Sequence, residues 1–148
     1  MGGKMDIGEN ISLVLKDSLG NIIAEENISN TITDLGISRV LDRLGGLSGD
    51  AVGYIAIGTG TTASSASDTS LQTEVERQAV TPTKPTSSSL QYTHEFVATS
   101  TDNYDITEVG LFDVASNGTM FNRAVGTAKP WVFGNSLTVT ITISLTRA

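Results

Sequence analysis

The chain has 148 residues, a formal net charge of −7 and no cysteine. That length suits one domain. The acidic balance excludes a DNA-wrapping face, which needs clustered Lys and Arg. The missing thiols exclude disulfides, thiolate nucleophiles and thiolate metal sites.

Charged residues make up 17% of the chain, against about 25% in ordinary soluble domains. Ser and Thr take their place, as on the solvent face of strands. No apolar run approaches the roughly 18 residues of a membrane-crossing helix, so neither nucleic acid nor membrane is expected as a partner. Residues 1–6 lack the apolar stretch of a secretory signal. Asp6 stands where a myristoylation motif requires Ser or Thr.

In chain order, residues 1–9 are polar and glycine-rich and read as an extended arm; residues 10–148 read as a single β-rich domain. Ile11, Leu13 and Leu15 alternate with Ser12, Val14 and Lys16. The turn-forming run 17–21 and then Ile22 and Ile23 complete a β-hairpin. Residues 27–46 hold the one convincing helix, capped by Thr33 or Asp34. Leu35, Val40, Leu41 and Leu44, with Ile37 beside them, are expected to pack on a sheet. Arg39, Asp42 and Arg43 are expected to face water, and Gly45-Gly46 to end the helix.

Tyr54, Ile55 and Ile57 suit a buried strand that stops at Gly58-Thr-Gly60. Gly58 and Gly60 are expected to supply backbone angles that a Cβ resists. A Ser/Thr loop follows, then a strand over 75–81, a proline-bearing loop over 81–89 and a strand over 90–98. On the last of these Leu90, Tyr92, His94 and Phe96 share a face. A strand over 106–112 is interrupted by Gly110, read as a bulge or a close approach. Ser116-Asn-Gly118 reads as a hairpin turn. The final strand is the plainest: Leu137, Val139, Ile141, Ile143 and Leu145 alternate with Thr138, Thr140, Thr142, Ser144 and Thr146, which predicts a half-buried antiparallel strand. About eight strands and one helix give a mainly β fold, an antiparallel β-sandwich or a barrel-like, jelly-roll-like variant.

Gly58-Thr-Gly-Thr-Thr62 resembles a phosphate-cradling loop only superficially, because no Lys lies nearby and no helix follows. His94 is the lone histidine, with no Gly-x-Ser-x-Gly elbow to partner it. Asp102, Asp105 and Glu108 recur at intervals of three with Asp113 beyond; they are oxygen ligands suited to calcium, but a turn followed by a solvated strand explains them better. Glu74, Glu76 and Arg77 read as a local ion-pair cluster, or as a partner for Arg123. Asn27-Ile-Ser29 and Asn117-Gly-Thr119 match the glycosylation pattern, with turn chemistry as the plain alternative. Trp131 is either an exposed contact or a plug in the fold's end. No catalytic constellation, cofactor or metal site survives.

Five segments stand in a particular order: Ile55-Ala-Ile-Gly-Thr-Gly-Thr-Thr62, Ser67-Asp-Thr-Ser-Leu-Gln-Thr-Glu-Val-Glu-Arg77, Ile106-Thr-Glu-Val-Gly-Leu-Phe-Asp113, Gly118-Thr-Met-Phe-Asn-Arg-Ala124 and the Thr-alternating last strand. The set resembles small virion proteins of tailed bacteriophages, and similar blocks occur in tail-collar fibre domains. The resemblance spans residues 27–146. It implies a non-enzymatic structural protein on the particle surface, made in the host cytoplasm. The favoured placement is a capsid decoration or cement protein; a tail, baseplate or fibre-attachment protein is the alternative. Its partners would be the major capsid protein or tail proteins and further copies of itself. A carbohydrate-binding module stacking sugars on Trp131, Tyr104 or Tyr92 competes with this reading, and a hydrolase built on His94 is the weakest. On the structural reading Gly58, Gly60, Gly110 and Gly118 shape backbone. Thr61, Thr62, Ser64, Ser65, Asp68 and Trp131 make assembly contacts.

Overall fold

The computed structural model describes residues 3–147. It contains nine strands and one helix among those residues: β1 Met5–Lys16, β2 Ile22–Ile28, β3 Thr31–Ile32, α1 Asp34–Leu44, β4 Tyr54–Gly58, β5 Glu74–Ala79, β6 Ser89–Val97, β7 Asn103–Phe112, β8 Met120–Val132 and β9 Ser136–Arg147. They form two antiparallel sheets, ordered β2-β1-β9-β6 and β3-β8-β7-β4-β5. The sheets face each other as a β-sandwich and do not close into a barrel.

The predicted period of two sets the interface. Ile11, Leu13 and Leu15 of β1, and Leu137, Val139 and Ile141 of β9, are all buried against Ile55, Ile57, Val109 and Leu111 of the second sheet. Trp131 joins the layers. It is fully buried on β8, and its indole N–H donates to the Phe96 carbonyl of β6 over 2.9 Å.

The segment read as an arm is a strand from Met5 onward. Met5 pairs with Arg147 and Glu9 with Ile143, so residues 5–9 lie along β9 within the first sheet; residues 1 and 2 lie outside the described range. The alternation of β1 runs through Ile7, Glu9, Ile11 and Leu13, which puts a carboxylate on the core-facing side. Amides of Asn30 and Asn122 donate to one Glu9 oxygen, while the other is buried without a partner. Burial pushes the Glu9 carboxyl above its usual range, and the two amide bonds only partly offset that.

The helix starts and ends at its expected caps, Thr33 and Gly45, but most of its apolar stripe faces outward. β2 and β3 take residues as far as 32, and Thr33 caps α1 by accepting from the Gly36 amide at 2.9 Å. Gly36 is the buried residue of the helix. A Cβ there would stand 2.2 Å from the Phe121 carbonyl oxygen, so the missing side chain lets the helix lie directly on β8. Arg39, expected in water, is largely covered and bonds Asp113 at 2.8 Å. Of the apolar stripe expected inside, Val40 packs on the core, but Leu35, Ile37, Leu41 and Leu44 are exposed, the last two at 61% and 83%.

The outer face of the second sheet is also covered. Ala56, Phe112 and Met120 lie there under Leu71, with Tyr54 at the margin. The roof is the chain from the end of β4 to the start of β5, the stretch that includes Gly58-Thr-Gly60.

Candidate functional site

Gly58 ends β4 on the outer face of the second sheet, opposite Glu108 of β7, and Gly60 follows two residues on. A register shift between Ile106 and Glu108 marks a bulge in the β7–β8 ladder. Bulges re-aim successive side chains, and here both Thr107 and Glu108 reach Gly60. The Thr107 hydroxyl donates to the Gly60 carbonyl at 2.6 Å, and the Gly60 amide donates to Glu108 Oε2 at 2.7 Å. Glu108 Oε2 also accepts from the Thr73 amide at 2.8 Å; Oε1 accepts from the Gln72 amide and from Arg123 Nε, each at 2.9 Å.

The loop is therefore an anion cradle whose anion is the protein's own Glu108. Backbone N–H groups converge on a charge, as they would on a phosphate, but the space is filled. Charge-assisted bonds of this kind are about twice as strong as neutral ones. Neither Gly58 nor Gly60 has a positive φ, so the expected reason for glycine is corrected. The reason is room: a Cβ at Gly58 would meet the Thr73 carbonyl oxygen at 2.4 Å, and one at Gly60 would meet Glu108 Oε2 at 2.5 Å.

Arg123 extends the network to the Ser/Thr loop. Its Nη1 donates to Asp68 at 3.1 Å, while its Nη2 is buried without a partner. Asp68 in turn accepts from the Ser65 amide at 2.8 Å. Ser64 Oγ lies 3.0 Å from Thr31 Oγ1, and the Ala66 carbonyl takes the Asp34 amide at the helix start. Gln72 holds the amides of Thr61 and Thr62. Of the predicted contact residues, Thr61, Thr62 and Ser65 are exposed on this fastened loop, Ser64 is half-buried, and Asp68 turns inward. Trp131 is wholly inside, which removes it as a surface contact and as a sugar-stacking platform.

Gly110 is a close approach within an unbroken strand, its missing Cβ leaving room for the Asn122 carbonyl at 2.9 Å and Leu71 at 3.1 Å. Gly118 follows Asn117 in a turn with φ of +74° and +58° respectively, the left-handed pair that hairpin turns favour.

The spaced carboxylates do not gather into a site. Asp102 accepts from Thr99 in the turn before β7, Glu108 faces Arg123, and Asp113 holds Arg39. Glu74 pairs with Arg77 at 2.6 Å, and that guanidinium lies 3.6 Å over the Phe112 ring. His94 packs edge-on against Phe96. Tyr92 is buried and its hydroxyl donates to the Val52 carbonyl; Tyr104 is partly exposed beside Trp131.

Uncovered apolar side chains gather at both ends of the sandwich. One end carries Ile37, Leu41 and Leu44 of α1 and Leu47 beyond it. The other has Leu19, Ile22, Val97 and Phe133 around the β1–β2 and β8–β9 turns. Sequence reasoning missed Glu9, and it read Glu108 as one of the spaced carboxylates and Arg123 as a partner for the Glu74 cluster, so their pairing with each other went unseen. The only early signal of Glu9 was a charge within an apolar alternation.

No protein-family model, curated protein or solved structure matches the chain.

Proposed function

We propose that the chain is a non-enzymatic structural protein of a tailed-phage particle, a decoration or cement protein that binds the shell and clamps neighbouring subunits. The observation that carries the reading is the outward apolar stripe of α1. A lone copy leaves Ile37, Leu41 and Leu44 in water, and exposed apolar patches mark surfaces that a neighbour covers. The ordered blocks over residues 27–146 support it. So does the fastening of the Ser/Thr loop, which presents Thr61, Thr62 and Ser65 on a fixed frame. Several charged groups serve internal pairs: Glu108 with Arg123, Asp113 with Arg39, Glu74 with Arg77. A protein that binds only the assembled lattice gains stability by mass action and needs no reacting group.

The test is mass spectrometry of purified particles of the phage that encodes the chain. Many copies per particle are expected; absence from mature particles sinks the reading. A particle reconstruction then places the density. Density on the shell fits a cement protein, and density on the tail or baseplate replaces that placement with the alternative.

A further inference from the structure

At the helix end the first sheet overreaches the second. The far halves of β1 and β9 and the start of β6 have α1 and the 81–89 loop over their inner face. Between them is a groove of about 510 Å³. Its floor is apolar: Val40, Leu90, Tyr92, Ile143 and Leu145 contribute. A bridge between Thr83 and Gln91, with bonds of 3.0 and 2.8 Å, pins the loop to the edge of β6, so this wall is built without a ligand.

The charged side chains that line the groove have one sign. Arg39, Arg43 and Lys84 line it, and no carboxylate does among the described residues. Arg39 is held by Asp113 and Asp42. Among the described residues, Arg43 and Lys84 bond only backbone carbonyls, Gly49 at 3.0 Å and Ser87 at 3.2 Å. In a chain of net charge −7, a groove with a cationic rim selects a ligand with apolar side chains and carboxylates.

We infer that this groove docks a short apolar polypeptide segment carrying acidic residues, supplied by another protein. A small amphiphile is the poorer occupant because apolar surface continues past the groove. Leu44 lies on the next sector of the helix from Val40, about 40° round, and Leu41 and Leu47 are exposed nearby. One small molecule cannot cover both regions. The inference stands on the groove's geometry and does not depend on the virion reading.

The test is selection of a displayed random-nonamer library on the full-length protein. The expected result is a consensus of alternating or clustered apolar residues with Asp or Glu. A synthetic consensus peptide then binds the wild type and loses about tenfold in affinity to the Arg43→Glu/Lys84→Glu variant, whose changes are on the surface. Leu90→Asp abolishes binding, with its circular dichroism and melting checked against wild type. No enriched consensus, a basic consensus, or a peptide indifferent to the charge reversal overturns the inference. Binding of dodecanoate with no peptide selected assigns the groove to a small amphiphile instead. Sedimentation that shows wild-type dimers lost in Leu90→Asp assigns it to a second copy. Both results overturn it.

Discussion

The Gly60 amide donates to the Glu108 carboxylate over 2.7 Å, and a Cβ on Gly60 would lie 2.5 Å from that same oxygen. The bond and the glycine require each other. Glu108→Ala removes the acceptor of four donors and leaves Arg123 charged, buried and short of a partner. Breaking a buried pair from one side costs about 3–5 kcal/mol. Urea denaturation should show that loss, and limited proteolysis should show new cleavage within residues 59–73. Glu108→Gln keeps part of the acceptor set and should lose less.

Gly60→Ala and Gly58→Ala should each destabilise by about 1–3 kcal/mol through overpacking, although neither position has a positive φ. The distinguishing measurement is a double mutant. Gly60→Ala made in Glu108→Ala should cost less than in wild type, because the clash with the Glu108 carboxylate is gone, while the contact with the Gln72 Cβ at 2.4 Å keeps part of the cost.

Trp131 should report a dry interior. Its fluorescence should be blue-shifted and poorly quenched by acrylamide, and both should change together on unfolding. Trp131→Phe keeps most of the volume but orphans the Phe96 carbonyl, at a cost of about 1–3 kcal/mol. Strong quenching in the folded protein contradicts the burial described here.

Glu9 should set a pH dependence. Its folded carboxyl titrates above its unfolded value, so the native state holds its proton more tightly than the unfolded chain. Its contribution is fully favourable below the unfolded pKa, about 4.3, and is lost as pH rises through the raised folded value. Glu9→Gln should therefore raise the melting temperature at pH 8 relative to wild type, with the advantage shrinking toward pH 4. Glu26 runs oppositely. Burial pushes its carboxyl up, but bonds from Lys129 and Thr127 bring it below its usual value. Its contribution holds at neutral pH and disappears as pH falls through the depressed folded value.

Leu41→Lys and Leu44→Lys should leave the isolated protein within about 0.5 kcal/mol of wild type, as exposed substitutions do. On the particle reading they should weaken attachment to particles stripped of this protein, measured by co-sedimentation. Unchanged attachment would remove the α1 stripe from the contact.

Much of the sandwich was legible because its cues are local. The 11–25 hairpin, the strict alternation of β9 and the Asn117-Gly118 turn each carry their signal within a few residues. The first half of β1 was hidden because Asp6, Gly8 and Glu9 look like solvent-exposed chain; only their partners on β9, more than a hundred residues away, make them a strand. For α1 the caps and Val40 were read rightly, but the rest of the apolar face was placed on the wrong side. Periodicity cannot show that Gly36 fits against Phe121 or that Arg39 has Asp113 waiting across the fold. The Glu108–Arg123 pair was illegible for a related reason, since a bulge and a distant loop bring its donors together.

β9 lies between β1 and β6, and Met5 stands beside Arg147. The strand that completes the first sheet is thus the last in chain order among the described residues. Until it arrives, β1 lacks one neighbour and β6 lacks the strand that carries its ladder. Closing the first sheet therefore rests on pairing between segments far apart in sequence, which makes that step slow. The nearness of residues 5 and 147 also makes the chain a natural subject for circular permutation. Joining them and opening the exposed 17–21 turn would turn β1 and β9 into consecutive strands, and should speed folding while preserving the sandwich.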